Sequence, residues 1–323
     1  MRLSRREFVQ ATALGSVAGS VSGAGRIPTR VLGKTGARVS ILAFGGGSRF
    51  GSIKEEEPAV QIVKHALELG VTYIDTSDDY SRGVSEQRIG MALKAHGRKG
   101  IFVATKVSNR DPKMTRQIVE RSLKNLQLDQ LDLLHIHELK NMEDLEQNIE
   151  KSGLLDEVMK MKEAKLTRFV GITCHAHPLA LKAALERHAF DVTQMALNAA
   201  TVAIKNGRPG MVPNPEVPEA FENTALPVAN RKKMGVIAMK VFCQDALAKQ
   251  PEATARNLIY YALTLPITAA VVGHPKPEML EENVRLAAAF KPLPKDEMRK
   301  LAQTLSLRNK VALDRYFRHH VDA

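Results

Sequence analysis

The sequence has no tryptophan and only two cysteines, Cys174 and Cys243. Two thiols are too few for a zinc or iron–sulfur centre built on thiolates, and they make at most one disulfide. A disulfide scaffold is therefore excluded. Aromatic residues make up only 5% of the chain. No run of about 18 uninterrupted apolar residues occurs, so no ordinary membrane-spanning helix is expected. What is present is 323 residues, 44% hydrophobic and 25% charged. That mixture excludes a disordered or collagen-like chain and buries a large core without staples. The length suits two domains or one large α/β barrel.

The net charge of +12 raises the question of nucleic acid. The basic residues are scattered, however, and alternate with acids along helical segments such as Lys54-Glu55-Glu56-Glu57 and Glu157 to Lys165. These read as solvated helix faces, and no nucleic-acid partner is expected. The densest basic stretch runs from Lys295 to Arg318. A basic surface also suits anionic small ligands, including phosphate-bearing cofactors.

Residues 1–24 are set apart from the rest. Ser4-Arg5-Arg6-Glu7-Phe8-Val9-Gln10 precedes a mild Ala/Gly/Ser-rich stretch, Ala11 to Ala24. Paired arginines, a Phe two residues on and a soft apolar run resemble a bacterial twin-arginine export signal. The resemblance implies export of an already folded protein to the periplasm through the Tat machinery.

From residue 28 onward, apolar runs of four to seven residues recur, each followed by a turn signal and an amphipathic stretch. They are Ile41 to Phe44, Val71 to Thr76, Ile101 to Val107, Leu131 to His137, Phe169 to Thr173, Val192 to Leu197, Val236 to Met239 and Ala269 to Val272. Eight continuous apolar strands alternating with helices predict parallel strands buried on both faces. The economical closed solution is a (β/α)8 TIM barrel, as one domain over residues 28–323. A doubly wound sheet is the alternative, but Gly45-Gly46-Gly47-Ser48-Arg49-Phe50-Gly51 fits its glycine fingerprint poorly. Residues 30–40 read as an N-terminal β-hairpin turning at Gly33 and Gly36, placed to plug the barrel floor. A helical extension is expected at the C-terminus. The Pro- and Gly-rich segment from Asn198 to Ala225 follows strand six and is expected over the top face.

Asp75, Lys106 and His137 fall at the ends of strands two, three and four, with Tyr80 five residues after Asp75. Asp and Lys are rare in core strands unless paired. A lysine ammonium beside a tyrosine favours phenolate and is expected to lower its pKa from about 10. The aspartate holds the lysine, and a histidine on the next strand can hydrogen-bond a carbonyl oxygen. Such a set protonates an oxygen while another group delivers hydride.

Ile74-Asp75-Thr76-Ser77-Asp78-Asp79-Tyr80-Ser81-Arg82-Gly83-Val84-Ser85-Glu86, Ala104-Thr105-Lys106-Val107 and Leu131 to His137 resemble the aldo/keto reductases, over roughly residues 28–290. The family implies a barrel binding an extended nicotinamide dinucleotide, with a catalytic tetrad falling on Asp75, Tyr80, Lys106 and His137. His135, deeper on the same strand, reads as a core histidine. Gly45 and Gly46 after strand one and Gly273 after strand eight are expected to border the cofactor. The family's Ser-Asn pair after strand five falls on Thr173 and Cys174, and its strand-six Gln on Gln194. Lys240 stands at the end of strand seven, near the pyrophosphate or on a solvated rim. Glu282 and Asn283 match the adenine-contacting pair. Lys276, a point charge where other members carry Arg, implies a modest preference for NADP over NAD.

The resemblance implies an oxidoreductase passing hydride between a nicotinamide cofactor and an aldehyde or ketone, with Tyr80 as general acid. The partner is a small carbonyl or alcohol substrate. Two other readings stand beside it: a non-catalytic cofactor-binding barrel, and a sugar or cyclitol dehydrogenase with tightly held cofactor.

Overall fold

The computed structural model describes residues 25–207, 211–243, 246–247 and 250–306. The export signal read at 1–24 lies outside the described residues, as does the end of the basic stretch.

Eight strands close into a parallel barrel: β3 (Leu42–Gly45), β4 (Tyr73–Asp75), β5 (Phe102–Val107), β6 (Leu131–Ile136), β7 (Thr167–Cys174), β8 (Val192–Ala196), β11 (Gly235–Met239) and β12 (Ala269–Val272). Neighbours in sequence are neighbours in space, and β12 pairs back onto β3. The expected apolar runs are these strands, and the doubly wound alternative is excluded. Alternation along each strand divides the core in two. Ala43, Tyr73, Phe102, Ala104, Leu133, Val192, Ile237 and Ala269 fill the barrel interior. Phe44, Ile74, Val103, Leu134 and Ile172 face outward, into the shell between strands and helices.

Around the barrel run α1 (Glu56–Glu68), α2 (Val84–His96), α3 (Pro112–Leu126), α4 (Leu154–Glu163), α5 (Pro178–Arg187), α6 (Ala225–Arg231), α7 (Ala255–Thr264) and α8 (Pro277–Ala288). In α1 the buried residues Ala59, Ile62, Val63 and Ala66 recur at helical spacing, so one stripe meets the strands. Asp111 begins α3 by accepting from the Met114 amide at 2.9 Å, with Pro112 in the first turn. The expected C-terminal extension is present as α9 (Lys295–Leu305), which buries Leu301 and Leu305.

The expected hairpin is formed by β1 (Thr29–Val31) and β2 (Arg38–Ser40). It closes the floor. Leu32 and Val39 pack with the barrel's inward residues, and the Lys34 amide donates to the Lys233 carbonyl at 2.8 Å. Gly33 has φ +50, and a Cβ there would collide with the backbone of Gly235, so only glycine fits.

At the other end lies the segment after β8. Sequence patterning predicts a loop; the structure folds part of it into an antiparallel hairpin, β9 (Ala203–Asn206) with β10 (Met211–Asn214). The Ile204 amide donates to the His175 carbonyl at 2.6 Å, which fastens this hairpin to the end of β7. The segment thus borders the top face, as its position in the chain predicts. Among the described residues, no helix is long and apolar enough to cross a membrane.

Candidate active site

Asp75 closes β4 and stands opposite Ala104 of β5. Lys106 lies two residues further along β5 on the same face. The two side chains meet inside the barrel mouth, where Lys106 Nζ donates to Asp75 Oδ2 at 2.7 Å. The ammonium also donates to the Thr76 carbonyl at 2.6 Å and to the Tyr80 hydroxyl at 3.4 Å. Its three hydrogens therefore have three acceptors, and both charged side chains are almost fully buried. Burial alone would lower the Lys106 pKa; Asp75 and Tyr80 outweigh it and raise it, so the lysine stays charged.

Tyr80 reaches this ammonium through an uncommon turn. Ser81 and Arg82 adopt φ 52 and φ 56, followed by Gly83 at φ 86. Left-handed backbone costs non-glycine residues about 1–2 kcal/mol each. The start of α2 holds the turn in place. Ser85 Oγ lies 2.8 Å from both the Gly46 carbonyl and Thr76 Oγ1. Buried Glu86 accepts from Thr105 Oγ1 at 2.7 Å and Asn125 Nδ2 at 3.1 Å.

Sequence reasoning expected Lys106 to lower the Tyr80 pKa. The structure corrects this: burial dominates, Lys106 offsets it in part, and Asp75 and Asp79 add to it, so Tyr80 is pushed up to about 12. The phenol keeps its proton at neutral pH, as a proton donor must.

His137 follows β6 and meets Tyr80 edge to face, ring centroids 5.7 Å apart. A hydroxyl and carboxylate cluster surrounds its Nδ1. Ser108 Oγ lies at 3.0 Å, Ser77 Oγ at 3.4 Å and Asp79 Oδ2 at 3.4 Å. Burial would raise the Asp79 carboxyl, but hydrogen bonds and charge from His137, Ser77 and Ser108 hold it well below the usual range. Arg110 donates to the His137 carbonyl at 2.9 Å and pairs with Asp144 at 2.9 Å. Ser77, Asp79 and Ser108 went unassigned in the sequence; serines carry no pattern that marks them.

The expected cofactor residues divide. Thr173 and Gln194 lie side by side on β7 and β8. Thr173 Oγ1 accepts from the Glu138 amide at 2.8 Å, which leaves its own proton free to donate. Gln194 is buried, and its Oε1 has no partner among the described residues. An orphaned buried acceptor beside a hydroxyl donor fits a carboxamide, so these residues suit a nicotinamide amide. Cys174 does not join them. Neighbours on a strand face opposite sides, and Cys174 Sγ donates to the Leu139 carbonyl at 3.0 Å within the outer core. Burial pushes its thiol up to about 12.

Gly45, Gly46 and Gly273 sit in tight packing. Cβ atoms there would press on the Val272 carbonyl at 3.0 Å, Ser85 Oγ at 2.7 Å and Arg49 Cβ at 2.8 Å, respectively. The glycine that borders the phenol is Gly47, where a Cβ would lie 3.5 Å from the Tyr80 ring. Lys240 is no solvated rim lysine: it is half-buried, at φ 58, with Nζ 2.9 Å from Met211 Sδ of β10. Burial first, then the charge of Lys106, brings it down to about 8 against the pull of Glu138 and Asp75. At the far end, Lys276 immediately precedes α8 and is exposed, as is Glu282, while Asn283 is buried.

The chain matches the aldo/keto reductase family over residues 42–256. It belongs to that family. Over 159 residues it is 36% identical to an L-galactose dehydrogenase of Arabidopsis thaliana, covering 46% of this chain and 49% of that protein. Over 174 residues it is 32% identical to the NADP(+) aldo-keto reductase Yakc of Schizosaccharomyces pombe, covering 49% of each. These matches span about half the length of the curated relatives. An aldo-keto reductase from Klebsiella pneumoniae, solved in complex with NADPH, shares the fold, with a TM-score of 0.67, 18% identity, and coverage of 85% of this chain and 95% of that one.

Three buried histidines give the family member an acid liability. His135, beside Lys106 on the neighbouring strand, has no partner for either ring nitrogen among the described residues, and Gly171 leaves the space it occupies. Burial holds His135 well below its usual pKa and brings His175 and His274 to about 4. The unfolded chain, with histidines near 6.5, then binds more protons between about pH 4 and 6.5, and stability falls as pH drops through that window. Asp78, raised by burial to about 6, acts oppositely by one proton. The net of roughly two protons gives a slope of about 3 kcal/mol per pH unit near pH 5. Urea unfolding at pH 5, 6 and 7 measures it, and His274→Leu is expected to remove about half. A flat profile, or an unchanged slope in the variant, contradicts this account.

Proposed function

We propose that the protein is an NADP(H)-dependent oxidoreductase acting on a small carbonyl or alcohol. The observation that carries this reading is the buried ammonium of Lys106, held by Asp75 beneath the hydroxyl of a protonated Tyr80. The bound cofactor would supply or accept a hydride. Tyr80 would donate the proton that the carbonyl oxygen needs, with the Lys106 charge stabilising the phenolate left behind. His137 would orient that oxygen from the adjoining strand. Thr173 and Gln194 would hold the nicotinamide amide, and Lys276 with Glu282 and Asn283 the adenosine end. The Asp75, Lys106 and Tyr80 arrangement favours an enzyme over a non-catalytic barrel.

Tyr80→Phe keeps the shape of the mouth and removes the donor. Turnover of a test aldehyde is expected to fall by at least about 10²-fold while the NADPH dissociation constant changes little. Steady-state kinetics beside a fluorescence titration measure both; unchanged turnover would sink the assignment of Tyr80 as acid.

The NADP preference rests on one exposed lysine. A single Lys–phosphate contact is worth about 1–3 kcal/mol, or about 5- to 150-fold in affinity. Lys276→Ala is expected to erase most of the preference for NADPH over NADH. A preference that survives the substitution removes Lys276 from this role.

The segment Ser4-Arg5-Arg6-Glu7-Phe8 supports export of the folded protein to the periplasm through the twin-arginine machinery. Replacing Arg5 and Arg6 by Lys keeps the charge and removes the pair. Cell fractionation of that variant should find the protein in the cytoplasm; periplasmic protein at the unsubstituted level would refute the reading.

A further inference from the structure

The cluster beside His137 fixes where its hydrogen sits. Ser77 Oγ is 2.6 Å from Asp79 Oδ1, and Ser108 Oγ is 2.7 Å from Asp79 Oδ2. An ionised carboxylate only accepts, so each contact needs the serine to donate its one hydrogen. Contacts this short, to a charged acceptor, outrank the alternatives: the Lys106 carbonyl at 3.3 Å for Ser77 and the ring at 3.0 Å for Ser108. With its hydrogen spent, Ser108 Oγ faces Nδ1 with lone pairs alone. Asp79 Oδ2, 3.4 Å from the same nitrogen, also has only lone pairs to offer. Three acceptors surround Nδ1, and the arrangement is satisfied only if Nδ1 carries hydrogen.

We propose that Asp79, acting through Ser77 and Ser108, holds His137 as the Nδ1–H tautomer, so that Nε2 meets the substrate as an acceptor when the ring is neutral and as a donor only when it is protonated. Asp79 is thus a positioning residue. A neutral ring accepts a hydrogen bond from the hydroxyl of an alcohol, whereas a charged ring donates one to a carbonyl oxygen. Nε2 has no hydrogen-bond partner among the described residues and is not a buried orphan, which leaves it open to the mouth. The inference rests on the proposed function for what Nε2 meets and is independent of it for the tautomer.

Around the ring, Tyr80 from the same loop is neutral, as are His135 below it and His175 just after β7. Lys106 is held by Asp75 at 2.7 Å, and Arg110, on the carbonyl side, is paired with Asp144. Asp79 is thus the acceptor that takes up both serine hydrogens, and without it those hydrogens can turn to Nδ1, which favours the Nε2–H tautomer.

The test uses the full chain with 15N-labelled histidine. Nitrogen–carbon-bound-proton correlation spectra are assigned to His137 by comparison with His137→Gln. In the unsubstituted protein at pH 8, Nδ1 is expected to show the protonated-type shift and Nε2 the bare one. In Asp79→Ala that pattern is expected to move toward the Nε2–H tautomer, and Ser108→Ala gives an independent second variant. The tautomer signature is a readout that a purely structural role of Asp79 would not move. An Nε2–H ring in the unsubstituted protein, or an Nδ1–H signature that Asp79→Ala leaves in place, overturns the inference. No turnover in either direction, with the Nδ1–H signature intact, upholds the inference and counts against the proposed function instead.

Discussion

The buried pair of Lys106 and Asp75 constrains everything built around it. Neither charge is tolerable alone in a closed barrel mouth, and breaking such a pair by removing one partner costs about 3–5 kcal/mol. The pair also fixes geometry, because the ammonium needs three acceptors at once and finds them in Asp75, Thr76 and Tyr80. Two of these belong to the strand end and one to the turn beyond it. The demand of a single buried cation thus specifies where β4 stops and where the next turn must return.

That return is costly, and its support comes from residues with no chemical part. Ser81 and Arg82 hold left-handed backbone. Their strain persists because Ser85 and Glu86 anchor the start of α2 to the β3 and β5 walls. Asn125, on α3, completes the ligation of Glu86. A carboxylate buried among three elements is as unforgiving as the Lys106 pair, and it transmits the position of the outer helices to Tyr80.

Much of this was legible in the sequence. Eight apolar runs gave the barrel strands, and polar residues at their ends gave Asp75, Lys106 and His137, since a core strand rarely carries charge without purpose. Gly33 and Gly36 marked the floor hairpin. Cys174 was misplaced although the period of a strand contained the answer: Thr173 faces the interior, so its neighbour cannot. The hairpin at 203–214 was hidden by Gly207, Pro209, Gly210 and Pro213, which read as a loop. The Ser77, Asp79 and Ser108 cluster had no sequence signature, because Ser108 joins the others only when β5 is laid beside β4. Tyr80 shows a different limit. The sequence named the lysine that lowers its pKa but carried no measure of the depth that raises it.

Depth is the variable that unites the mouth. The same desolvation that keeps a proton on Tyr80 strips the charge from His135 and His175 and weakens the hold of Lys240 on its own. Lys106 escapes only because Asp75 is within 2.7 Å. His137 sits at the boundary, with one nitrogen committed to the Asp79 cluster and one nitrogen open. A site built this way separates its groups by environment rather than by residue type. Five imidazole or ammonium groups stand within one barrel end, and depth and the placing of carboxylates set them apart. Lys106 has Asp75 and remains a cation. His135 has no carboxylate partner among the described residues and remains neutral. His137 has Asp79 at its edge, 3.4 Å from Nδ1, and that carboxylate orders the ring through the two serines between them.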